Sequence, residues 1–170
     1  MQNTYNYKEA KEGLLLRTAI QGLSQKINPN DKNYETYVKL IQEEIIELYK
    51  INFDGYMILL ADIVLVSREI SGFVSCFGSI QNSLTAYVLD IVEYFDIEQY
   101  EFERFTPFVK KPVVNILISN YGNAGCMGYV KHKFPELIKK TKKQTIIFND
   151  DLKIKFIDLG IELRVKQEEW

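Results

Sequence analysis

Pro112-Val113-Val114-Asn115-Ile116-Leu117-Ile118 is a β-branched run of strand length behind a proline. It divides a chain whose helical patterns come first from an end rich in short strands. Before it, Leu15, Ala19, Leu23 and Ile27 recur at helical spacing until Asn28-Pro29-Asn30 stops them. Tyr34, Val38, Ile41, Ile45 and Leu48 follow at intervals of 4, 3, 4 and 3, with Asn33 as N-cap and acids assigned to the other face. A third helix runs from Asp54-Gly55 to Ser71-Gly72, apolar nearly all round and therefore expected inside the fold. Phe73 to Phe77 is a short apolar stretch before Gly78-Ser79, and a helix is expected from there to Tyr94 through Leu84, Tyr87, Val88 and Ile91. After the strand, Gly122 to Ile138 reads as a helix broken by glycines and Pro135. Thr145 to Phe148, Leu152 to Ile157 and Ile161 to Val165 then predict a small antiparallel sheet. The class is α+β, in one domain over residues 1–170.

The 170 residues are 46% hydrophobic and 26% charged, a balance that supports a buried core and excludes low-complexity and collagenous classes. A formal charge of −2 excludes a globally basic nucleic-acid binder, so only a local basic surface can serve that purpose. Cys76 and Cys126 lie far apart with no CxxC partner, which argues against a zinc ribbon or a disulfide scaffold and points to a reducing cytoplasm. The first residues carry no signal-peptide pattern, and the longest apolar run, Tyr56 to Val66, is too short for a bilayer; no membrane role is expected.

Single candidates for chemistry are weak. Asp62 inside an apolar helix reads as a satisfied structural carboxylate. Asp158, a single carboxylate within Lys153 to Leu163, is a candidate metal ligand, but in an amphipathic strand it is expected to face solvent. His132, the sole histidine, sits between Lys131 and Lys133 with no local carboxylate partner, and Cys76 and Cys126 read as small buried hydrophobes.

The middle of the chain resembles the palm of the bacterial DNA polymerase III alpha subunit, a C-family polymerase. Glu43-Glu44-Ile45-Ile46 through Phe53-Asp54-Gly55-Tyr56 and Ala61-Asp62-Ile63-Val64 is similar to that family's "E…I…F-x-G-Y-x-L-I-x-A-D" segment. Gly78-Ser79 with Ser83-Leu84-Thr85-Ala86-Tyr87 resembles its glycine-rich "P-G-R-G-S-x-x-G-S-L-x-A-Y" motif, and Phe102-Glu103-Arg104-Phe105 its "F-E-R-F". The resemblance spans roughly residues 10–134 and leaves 144–166 as a divergent strand-rich end. It implies a helix-rich, polymerase palm-like (nucleotidyltransferase-like) domain with a small C-terminal antiparallel sheet.

It also implies what has been lost. The family's "P-D-I-D-I-D-F" strand carries the aspartates that hold two Mg²⁺ ions around the reacting phosphate. At those positions this chain has Val113, Asn115 and Leu117. No catalytic residue, metal site or cofactor is therefore expected. In the glycine-rich motif the family's Arg is Phe77, and Gly78 and Ser79 remain as a vestigial nucleotide-binding turn at a helix N-terminus.

Charge is uneven: Asp90 to Glu103 holds six acids and no base, whereas Lys131 to Lys143 holds six lysines and one acid. Lys131, Lys133, Lys139, Lys140, Lys142 and Lys143 form the one dense basic segment, able to contact DNA phosphates without reading bases, or simply to solvate a helix face. The resulting expectation is a catalytically inactive palm-like binding module of DNA replication, in a phage or mobile-element setting, contacting DNA or a replication protein. The alternatives are a nucleotidyltransferase subunit completed by a polymerase-like partner chain, and a fold relic with an unrelated partner.

Overall fold

The computed structural model describes residues 13–96, 112–119, 122–149 and 152–159. They fall into two compact units interleaved along the chain, the first from residues 1–62 and 82–107, the second from 63–81 and 108–170. The expected strand at 161–165 and the Phe102–Phe105 motif lie outside the described residues.

In the first unit, α1 (Leu14–Lys26) buries Leu15, Ala19 and Leu23, as the spacing predicts. Gly22 lies on the same helix because a Cβ there would stand 2.0 Å from the Val88 carbonyl oxygen. α2 (Tyr34–Lys50) buries Ile41, Ile45, Leu48 and also Glu44. Asn33 occupies its N-cap position without a side-chain cap; its own N–H donates to Asp31 Oδ1 at 2.8 Å in an Asx turn. α3 (Asp54–Ser71) begins in this unit and continues into the second, with Tyr56, Met57, Leu59, Leu60, Ile63 and Val64 all buried.

The helix expected over 79–94 is a correction: α4 covers only Leu84–Val88. It stops at Asp90, which adopts φ 57°. Asp90 N–H donates to Tyr87 O and Ile91 N–H to Ala86 O, the paired bonds of a Schellman motif with aspartate in the place usually taken by glycine. Sequence periodicity through Ile91 persists because Ile91 and Val92 remain buried after the helix has ended.

The second unit is built on one five-stranded sheet in the order β1-β2-β5-β4-β3, with β1 Val74–Gly78, β2 Val113–Ile118, β3 Ile138–Lys142, β4 Thr145–Phe148 and β5 Lys153–Asp158. β2 and β5 are parallel and every other pair is antiparallel. Two expectations change. The late strands Thr145–Phe148 and Lys153–Asp158 do pair antiparallel, but they are not a sheet of their own, because β5 also pairs with β2 in parallel. The strand beside β4 is Ile138–Lys142, which the sequence placed at the end of a helix and beyond. α5 (Asn123–Lys133) ends at Phe134 because Pro135 cannot donate the next helical bond; a 3-10 turn, Pro135–Leu137, then turns the chain into β3.

Strand alternation divides the sheet. Val74, Cys76, Val114, Ile116, Ile118, Ile146, Phe148, Ile154 and Phe156 are buried on one face, and α5 packs against β5. The opposite face is half-buried on β2 and most of β1 and exposed at its lysines.

Candidate functional site

The positions at which the family carries aspartates, Val113, Asn115 and Leu117, alternate along β2 with the buried Val114, Ile116 and Ile118, so they share the more open face of the sheet. Strand parity and register define what stands beside them. Val113 is opposite Lys153 and Asn115 opposite Lys155 on β5, while Phe77 is opposite Asn115 on β1. Further across, Lys153 pairs with Ile147 and Ile147 with Lys140; Lys155 pairs with Thr145 and Thr145 with Lys142. Residues directly opposite in a ladder project from the same face. This face therefore carries Lys140, Lys142, Lys153 and Lys155, all exposed.

Among the described residues this face offers no site for two Mg²⁺ ions. The donor set is one neutral amide between two aliphatic side chains, and on the β5 side Val113 and Asn115 stand opposite the ammonium groups of Lys153 and Lys155, which repel a divalent cation. Asp158 does not repair the deficit. It pairs with Ile118 and lies on the opposite face from Asn115, only 2% exposed, where solvent exposure was expected. The cause is parity: Asp158 continues the alternation of Ile154 and Phe156. Asp62 is half-buried in α3. Among the described residues no group of three or more His, Cys, Asp or Glu side chains gathers at one point.

Gly78 and Ser79 extend the β1–β2 ladder and do not head a helix. Ser79 N–H donates to Val113 O at 3.0 Å, and Ser79 Oγ accepts from Val113 N–H at 3.1 Å. Gly78 has φ 111°, and a Cβ on it would stand 2.4 Å from the Val113 carbonyl oxygen, so glycine is required by both backbone conformation and space.

The surviving S-L-x-A-Y portion is held elsewhere, by a residue the sequence placed on the wrong face. Glu44 is fully buried. Its Oε1 accepts from Leu84 N–H at 2.8 Å, and its Oε2 from Thr85 N–H at 2.8 Å and from Ser83 Oγ at 2.9 Å. Ser83 Oγ in turn accepts from Ala86 N–H at 3.0 Å. The start of α4 is thus filled by a carboxylate from α2, which satisfies amides that an anionic ligand would otherwise meet. Its spacing of three from Ile41 and four from Leu48 was the signal that Glu44 lies on the apolar stripe.

The lysine segment is divided by the fold. Lys131 and Lys133 are in the last turn of α5, and Lys133 Nζ donates to Tyr129 OH at 2.6 Å. Lys139, Lys140 and Lys142 lie on the edge strand β3, where a helix face was one expectation, and Lys143 is in the β3–β4 turn at φ 33°. Lys153 and Lys155 were missed as site residues, although the Lys-Ile-Lys-Phe alternation holds the signal. His132 is exposed while Cys76 and Cys126 are buried. Burial pushes the Cys126 thiol above its ordinary pKa, so it is not poised as a nucleophile.

The mixed sheet, the Gly-Ser strand end and the Ser-Leu-Thr-Ala-Tyr helix hold the segments on which the resemblance to a polymerase-related class rests. Residues 13–149 match the bacterial DNA polymerase III alpha NTPase domain, and the chain belongs to that family. No curated protein matches the sequence. Among the described residues no helix is long and apolar enough to cross a membrane.

Proposed function

We propose that this chain is a catalytically inactive member of the family that acts in the cytoplasm as a binding module of DNA replication, contacting nucleic acid through lysines. One observation carries the reading: on the face where the family holds metal-binding aspartates, Val113, Asn115 and Leu117 stand beside Lys153 and Lys155. A surface of that charge repels Mg²⁺ and attracts phosphate. The buried Glu44 at the start of α4 adds support, since the motif's helix start is filled from within the protein. Primer extension with labelled nucleotide, in Mg²⁺ and in Mn²⁺, tests the inactive part; templated extension by the purified chain overturns it. A pull-down from the native host tests the replication context, with replication proteins or their DNA as the expected catch.

A further inference from the structure

We propose that the open sheet face of the second unit holds a single-stranded nucleic acid without any metal ion, with Lys140, Lys142, Lys153 and Lys155 on its phosphates. The proposal deepens the binding-module reading and rests on it. The register sets two rows across the strands, Lys140–Ile147–Lys153–Val113 and Lys142–Thr145–Lys155–Asn115–Phe77. Same-face neighbours along a strand are about 6.7 Å apart, and β3 and β5 are separated by about 10 Å, twice the strand spacing. The four lysines therefore root at the corners of a rectangle of roughly 7 by 10 Å. None of the four forms a salt bridge with a described residue, and the described strand residues of this face include no carboxylate.

Lysines on an edge strand have an ordinary purpose, which is to prevent pairing with another sheet. That accounts for Lys140 and Lys142 on β3. It does not account for Lys153 and Lys155, which lie on β5 between two hydrogen-bonded neighbours. Four like charges on one face are mutually unfavourable, and a polyanion laid across them removes that cost.

A single strand suits the face better than a duplex. Phe77, Val113, Leu117 and Ile147 are half-buried between and beside the lysines, presenting apolar surface at the level where unpaired bases lie when the backbone meets the lysines. A duplex keeps its bases inside and meets only the charges.

The test uses the full chain in EDTA, with a labelled mixed-sequence strand of about 16 nucleotides and the same sequence as duplex. With four phosphates neutralised the salt slope is about −2.8, so affinity for the single strand falls about 50-fold between 50 and 200 mM salt. Lys153→Gln/Lys155→Gln cuts that to about 7-fold and weakens binding at low salt, whereas Lys131→Gln/Lys133→Gln on α5 leaves both unchanged. All four side chains are exposed, and matching circular dichroism and melting temperature confirm folding. Single-strand binding that survives Lys153→Gln/Lys155→Gln unaltered overturns the face and leaves the nucleic-acid module standing. Duplex bound as tightly as the single strand overturns the choice of ligand. Absence of binding at 50 mM salt by the folded wild type overturns the proposal and leaves an acidic protein surface as the partner of the lysines. Primer extension activity strikes the broader reading alone, because this binding is measured without metal.

Discussion

Glu44 and Ser83, thirty-nine positions apart in the chain, are joined by a 2.9 Å hydrogen bond that lies wholly within the protein's interior. Through it, the segment of α2 that resembles the family's first motif holds the Ser-Leu-Thr-Ala-Tyr of its second. The bond belongs to a wider set: Glu44 takes three donors from the start of α4, and Ser83 passes the order on to Ala86 N–H. Glu44→Ala leaves those three donors unmatched in a fully buried site, and is expected to cost about 4 kcal/mol. Ser83→Ala removes a helix cap as well and costs about 2 kcal/mol. Urea unfolding of both single variants and the double variant reads a coupling of about 1 kcal/mol or more; strict additivity refutes the network.

Two glycines have opposite expected responses to alanine. At Gly22 the new Cβ meets the Val88 backbone carbonyl at 2.0 Å, and backbone cannot rotate away as a side chain does. The expected loss is about 3 kcal/mol. At Gly128, inside α5 and exposed, nothing lies within 4 Å of the new Cβ. Gly128→Ala is expected to stabilise by about 0.7 kcal/mol through helix propensity and a less disordered unfolded chain. Thermal melts of the two variants check both signs.

The fold was legible where one face of an element met the core and the other met water. α1 and α3 ended where Asn28-Pro29 and Ser71-Gly72 indicated, and β2 matched its β-branched run residue for residue. Periodicity failed where burial outlasted the element, as at Ile91 and Val92 beyond α4, and where one strand is polar on both sides, as at Lys139 to Lys142. That Val113, Asn115 and Leu117 carry no carboxylate was readable because residue identity alone decides it. Their neighbours were not, since only the parallel pairing of β2 with β5 brings Lys153 and Lys155 beside them. Glu44 was assigned outward with the other acids of α2 because charge was weighted above spacing.

A half-buried carboxylic acid and a buried thiol shape the pH response. Burial raises the Asp54 pKa above its ordinary 3.8, against weaker lowering by backbone N–H groups at Asp54 and Gly55. The folded state then holds the proton more tightly than the unfolded chain, so this contribution is complete below 3.8 and is lost as pH rises through the folded value. The Cys126 thiol, also raised mainly by burial, repeats the sign above its ordinary 9.0. Asp54→Asn is expected to lose less stability than wild type as pH climbs from below 3.8 to neutral, and Cys126→Ala less than wild type above 9.0. Unfolding midpoints across pH check each difference; a wild-type curve parallel to its variant refutes the corresponding shift. Iodoacetamide is expected to react slowly with the native protein, because Cys76 and Cys126 are both buried.

Restoring aspartates tests whether the lysines or the missing carboxylates prevent metal binding. In Val113→Asp/Asn115→Asp the new carboxylates stand opposite Lys153 and Lys155. Each meets an ammonium group before it meets a cation, forming a cross-strand ion pair worth about 0.5 kcal/mol. The expected result is a variant of unchanged or slightly raised melting temperature that takes up no Mg²⁺ in a calorimetric titration. Adding Lys153→Gln/Lys155→Gln leaves two carboxylates on one strand face with neutral neighbours, and the cost of their mutual repulsion is then relieved by a divalent ion. In that four-residue variant Mg²⁺ is expected to bind and to raise the melting temperature in proportion to its concentration. Mg²⁺ uptake by the two-aspartate variant with both lysines intact is the opposite result, and it shows that the lysines of this face do not govern what the sheet attracts.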